Sequence, residues 1–112
     1  MKRVEDYDVF VKAHELNLKI LNLKSEEFSE LVSKVKEVCI LILLNLKSSK
    51  AYGDIFFESM KKAQVYATWF EYYLMLLRDL KIISEEEYEG FEDEITVVQK
   101  MIYGILRKEK KA

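Results

Sequence analysis

With half its 112 residues hydrophobic and a third charged, the chain has room for one domain and the balance of a globular protein, which excludes a disordered one. No proline and only three glycines exclude a fold rich in turns and sheet, and predict long helices joined by short connections. The net charge of −2 and a pI near 5.5 exclude a global pull toward nucleic acid or membrane, and the lone Cys39 excludes an intrachain disulfide and a cysteine-based zinc site.

The opening Met1 to Asp8 is charged and has no apolar run of the signal-peptide kind. The longest apolar run, Val38 to Leu44, is far short of the roughly 20 residues that span a bilayer. A soluble, cytoplasmic protein with no membrane partner is therefore expected, and the single cysteine suits a reducing compartment.

A first helix is predicted over 8–22, where Val9, Ala13, Leu16, Ile20 and Leu23 keep a 4,3,4,3 spacing while Lys12, Glu15 and Lys19 point elsewhere. Ser25 then reads as an N-cap, with Glu26 and Glu27 in the first turn of a second helix over 26–47. Its seam is Phe28, Val32, Val35, Cys39, Ile42 and Leu46. Over Val38 to Leu44 it is apolar all round, which predicts little contact with water and burial beyond one subunit.

Lys47 to Asp54 is the longest polar connection, and Gly53 before Asp54 reads as a turn followed by an N-cap. The third helix, 54–81, carries two apolar stripes. Phe56, Met60, Ala63, Ala67, Phe70, Leu74 and Leu77 form one heptad-like seam, and Tyr66, Trp69, Tyr73, Leu76 and Leu80 form another. A helix on the outside of a bundle needs only one such stripe. The second predicts an interface with another copy of the chain.

Ser84 to Glu87 has the S-x-x-E form of a capping box and opens a fourth helix over 85–108, with the seam Tyr88, Phe91, Ile95, Val98, Ile102 and Ile105. Residues 85–94 carry seven acids and no base, whereas 107–111 carry four bases and one acid, an order that complements the helix dipole. Four helices with short connections predict an all-α, antiparallel up-down-up-down four-helix bundle forming a single domain over 1–112.

Motifs for chemistry are sparse. His14 is the only histidine and no Glu-x-x-His pair exists, so neither a metal site nor the di-iron bundle pattern is expected. Cys39 lies in an apolar run, where a buried thiol is unreactive. The acids of 85–94 lack the alternating spacing of a calcium loop, the glycines are isolated, and no serine has a histidine–acid arrangement around it. No enzymatic activity, catalytic residue, metal or cofactor is expected.

The aromatics Tyr66, Trp69, Phe70, Tyr72 and Tyr73 admit nucleotide stacking, but at helical spacing core and interface are the stronger reading. Candidate polyanion contacts are Lys34 and Lys36 on the second helix, Lys47 and Lys50 near its end, Lys61 and Lys62 on the third, and the tail Arg107, Lys108, Lys110 and Lys111. Closed symmetry multiplies such small clusters.

Tyr7-Asp8-Val9-Phe10-Val11-Lys12-Ala13-His14-Glu15-Leu16 resembles the opening helix of the small four helix bundle protein family, which includes proteins encoded by intervening sequences in bacterial large-subunit ribosomal RNA genes. Asp79-Leu80-Lys81-Ile82-Ile83-Ser84, with Tyr88-Glu89 after it, resembles that family's third-to-fourth helix junction. Glu94-Ile95 and Lys100-Met101-Ile102-Tyr103-Gly104 resemble its last helix. Junction and last helix are also similar to the related accessory variability proteins of diversity-generating retroelements. The ribosomal-gene branch has a proline late in the second helix, where this chain has Leu41 to Leu44 followed by Asn45; its lack resembles the retroelement branch.

The resemblance implies a five-fold ring of four-helix bundles that binds a reverse transcriptase and structured RNA or DNA without catalysis of its own. It also implies that Lys34 and Lys36 are nucleic-acid contacts, since basic positions of both branches fall there. The alternative it implies is a ribosomal-gene-type bundle acting as a protein-interaction module.

Overall fold

One predicted seam on each helix becomes its buried side, whereas the second seam of the third helix stays half-buried to exposed. The computed structural model describes residues 8–49 and 53–111, the side chains of 53, 54 and 109–111 excepted. It contains α1 (Asp8–Ile20), α2 (Ser29–Ser48), α3 (Gly53–Asp79) and α4 (Glu85–Lys111), and no strand among the described residues. Consecutive helices pack on one another and α4 closes back on α1, giving an all-α antiparallel four-helix bundle about 47 Å long. The chain therefore alternates in direction. The start of α1, end of α2, start of α3 and end of α4 share one end of the bundle, and the α3–α4 junction lies at the other.

One continuous core runs the length of the molecule. Val9, Ala13, Leu16 and Ile20 of α1 meet Val35, Cys39, Ile42 and Leu46 of α2, Met60 to Leu77 of the α3 seam, and Ile95, Val98 and Ile102 of α4. Phe56, Tyr88 and Ile105, at the ends of their seams, are only half-buried. That is the ordinary fate of the outermost layer of a bundle.

The helix ends differ from the sequence reading for local reasons. α1 stops at Ile20 because the amides of Asn22 and Leu23 turn to the carbonyls of Lys19 and Ile20, tightening the last turn. α2 starts three residues later than expected. The Ser25 hydroxyl does accept from the Phe28 amide at 3.1 Å, but it closes a separate turn. Phe28, at φ −116° and ψ 43°, is not helical, so Glu26 and Glu27 precede the helix and Glu30 is the acid of its first turn. α3 already includes Gly53, which makes Asp54 its second residue and not its cap.

α3 ends at Asp79 in a Schellman turn. The Ile82 amide donates to the Leu77 carbonyl and the Lys81 amide to that of Arg78, both at 2.9 Å, with Lys81 in the left-handed region at φ 62°. Glycine usually fills this position, so the lysine carries backbone strain. α4 begins as expected: the Glu87 amide donates to Ser84 Oγ at 3.0 Å and the Ser84 amide donates to Glu87 Oε1 at 2.8 Å. Both halves of the capping box are made. The helix continues to Lys111, three residues past the expected end.

Candidate interaction surfaces

Because Phe70 and Leu74 point inward, residues displaced around the helix from them point to solvent, and on α3 many of those are large and apolar. Trp69 is 53% exposed, Tyr72 59% and Val65 49%, with Leu80 also exposed and Leu76 half-buried. Val65, Trp69, Tyr72, Leu76 and Leu80 step 4,3,4,4 and form one outward stripe. Within the expected second seam, Tyr66 and Tyr73 are half-buried and pack against the core, while Trp69 stands edge-on to Tyr66 at 5.2 Å. Val65 and Tyr72 belong to the exposed stripe and were not on the expected seam. Phe70 is wholly buried, which removes it from any stacking role.

A second apolar face, which the sequence reading missed, lies on α1 and α2. Val11, Leu18 and Leu21 are exposed along the far side of α1, and Ile40 and Leu44 along α2. Leu18 follows Leu16 by two residues and is therefore about 200° around the helix from it. On α1 the acids and bases between these positions mask the stripe in the sequence. On α2 the expectation that Val38 to Leu44 would be sheltered holds for Val38, Cys39, Ile42 and Leu43; Ile40 and Leu44 remain at the surface of the single chain.

α4 presents a different far side, with Glu86, Glu89, Asp93, Lys100 and Lys108 exposed. Polar groups stitch it to its neighbours. Lys19 Nζ of α1 reaches Glu94 at 2.8 Å, and that hydrogen bond holds the lysine pKa above its ordinary value. The Gln64 amide donates to the Gln99 carbonyl at 3.1 Å, and the Gln99 side chain donates to Glu71 at 2.7 Å. Burial pushes the Glu92 carboxyl up, and the charge and hydrogen bond of nearby Glu71 push it further. Arg78 lies 4.3 Å above the Tyr88 ring.

The candidate bases fall into two groups. Lys34 is exposed and Lys36 half-buried, both in the half of α2 nearer the α3–α4 junction. Lys47 at the end of α2 and Lys61 and Lys62 on the first third of α3 are exposed near the opposite end. Lys50 lies outside the described residues. His14 is exposed on α1, stacked near-parallel on Phe10 at 6.3 Å. Burial pushes the Cys39 thiol up to about 12, so it stays protonated at neutral pH. Among the described residues no three of histidine, cysteine, aspartate and glutamate group to hold a metal ion, and no helix is long and apolar enough to cross a membrane.

No family model matches the chain, and no curated protein matches it. Among solved structures, it is similar to a protein of unknown function from the S23 ribosomal protein family of Bacteroides thetaiotaomicron VPI-5482. The TM-score is 0.82 at 21% identity, over 88% of this chain and 95% of that one. At that identity the likeness shows the fold: both chains are all-α four-helix bundles.

Proposed function

We propose that this protein is a non-catalytic scaffold that associates with copies of itself and holds a polymerase and its nucleic acid, in the manner of the retroelement accessory proteins it resembles. The observation that carries the self-association is the outward stripe of α3. Val65, Trp69, Tyr72 and Leu80 add to Leu76 a continuous apolar strip along the last four turns of the helix. Monomeric proteins rarely leave a strip of this kind in water. Aromatic residues at such positions anchor interfaces, because they bury much area at small entropic cost. The apolar face on α1 and α2 supports a ring, in which each copy uses one face on each neighbour; the resemblance suggests five copies. Reverse transcriptase and structured RNA or DNA are the partners this reading assigns.

The solved neighbour's place in the S23 ribosomal protein family favours a second reading, a ribosomal-gene-type bundle serving as a protein-interaction module. A reverse transcriptase gene beside this one supports the first reading, and a ribosomal RNA locus supports the second. Light scattering at micromolar concentration tests the scaffold common to both. The wild type should run as a defined oligomer and the double variant Trp69→Glu/Tyr72→Glu as single chains of unchanged helicity. A wild type found only as single chains removes the scaffold.

A further inference from the structure

The net charge of −2 hides a strongly divided molecule. Counting charged groups with described side chains, the end that holds the end of α2 and the start of α3 carries, in residues 8–12, 47–62 and 100–108, seven bases against two acids. The end that holds the α3–α4 junction carries, in residues 19–30 and 71–94, four bases against twelve acids. One end is therefore near +5 and the other near −8. The separation exceeds the roughly 8 Å over which salt screens charge, so a ligand meets each end separately.

Three of the bases at the basic end, Lys61 on α3 and Lys100 and Arg107 on α4, lie around one exposed ring. The Gln64 to Gln99 hydrogen bond fixes the register of α3 against α4. Because the helices are antiparallel, Lys61, three residues before Gln64, lies level with the turn three residues after Gln99, which holds Tyr103. Lys100 and Arg107 lie within four residues on either side of Tyr103. Tyr103 is 53% exposed, and the Arg107 guanidinium sits 5.7 Å from its ring centroid. An exposed ring with a cation against it, and lysines within about one turn, offers a nucleic-acid strand a platform for a base and positive charge for its phosphates.

We infer that the outer α3–α4 groove at the basic end, flanked by Lys61 and Tyr103 with Lys100 and Arg107 on the adjoining outer side of α4, binds single-stranded nucleic acid, a base stacking on Tyr103. The site rests on the nucleic-acid reading above but places the contact away from Lys34 and Lys36. Those two sit near mid-length on α2, away from Tyr103 and with Glu37 beside them. Tyrosine distinguishes the ligand from a free phosphate or an acidic peptide, neither of which offers a planar base.

Fluorescence anisotropy with a labelled RNA hairpin carrying a short single-stranded tail, compared with the same hairpin without the tail, tests the assignment on the full chain. The tailed RNA should bind more tightly, with an affinity that falls steeply as salt rises. Lys61→Glu/Arg107→Glu should weaken binding by at least about tenfold, as should Tyr103→Ala. Tyr103→Phe should restore it, because phenylalanine keeps the stacking face. Lys34→Glu/Lys36→Glu should leave it within about twofold. Thermal melts of each variant establish that the fold is intact. Binding weakened by the Lys34/Lys36 pair and indifferent to the groove variants overturns this site while leaving a nucleic-acid scaffold standing. A wild type that binds neither RNA overturns both.

Discussion

α3 and α4 are each 27 residues long, pack on one another and bury matching seams, yet their far sides are opposites. α3 turns Val65, Trp69, Tyr72 and Leu80 outward, whereas α4 turns outward mainly acids and lysines, with Val97 and Tyr103 as its exposed large apolar residues. The inward period of a helix says only that it belongs to a bundle. Its outward composition says whether that side is suited to water or to another surface.

The inward sides are the equal part of the comparison and carry the largest effects. Phe70 and Ile95 are both buried, at 0% and 1% exposure. Phe70→Ala should cost about 3–5 kcal/mol and Ile95→Ala about 2–5 kcal/mol, through lost burial and the cavity left behind. Thermal melts followed by circular dichroism measure both. A loss under about 1 kcal/mol at either site would show that its layer collapses around the gap.

The outward sides should separate the two helices. Association stabilises the folded chain by mass action, so the wild-type melting temperature should rise with protein concentration. Tyr72→Glu should flatten that dependence, and Val97→Glu on α4 should leave it intact. Equal behaviour of the two variants would erase the contrast between the helices.

Where the two helices meet, smaller effects are expected. Lys81→Gly should stabilise by about 1 kcal/mol, because glycine adopts the left-handed conformation without strain. Ser84→Ala should destabilise by about 1 kcal/mol through loss of its cap. Denaturant midpoints read both, and a destabilised Lys81→Gly would mean that the lysine side chain contributes more than its backbone costs. Smallest of all, Lys19→Ala should leave the melting temperature unchanged, since its ion pair with Glu94 is exposed and screened by water. A resolvable drop would show that α1 is fastened to α4 by more than its apolar seam.

The buried architecture was legible because a heptad-like period survives any local detail: Met60 to Leu77 could hardly face water together. The capping box was legible because Ser84 and Glu87 act within one turn. Other features escaped for physical reasons. Ser25 makes a capping hydrogen bond, but Phe28 then leaves helical dihedrals, and nothing in residue type announces that. Lys81 occupies a glycine's place in the Schellman turn. The α1 stripe is interleaved with Lys12, Glu15 and Lys19, and the charge division vanishes when summed over the chain. Of the candidate site, Trp69, Leu76 and Leu80 were visible from spacing alone; Tyr72 was read only as one of five aromatics of core or interface, and it and Val65 took their place on the stripe only once the rotation of α3 about its axis was set.

The α3–α4 corner has a kinetic consequence. From Leu77 to Glu87 its backbone is tied by five hydrogen bonds, each spanning no more than six residues. Closing so short a loop costs little chain entropy, so this helical hairpin is expected to form early in folding, ahead of the docking of α1 against α4 at the far ends of the chain. The gain from Lys81→Gly should then appear in the refolding arm of a chevron, with the unfolding arm unmoved.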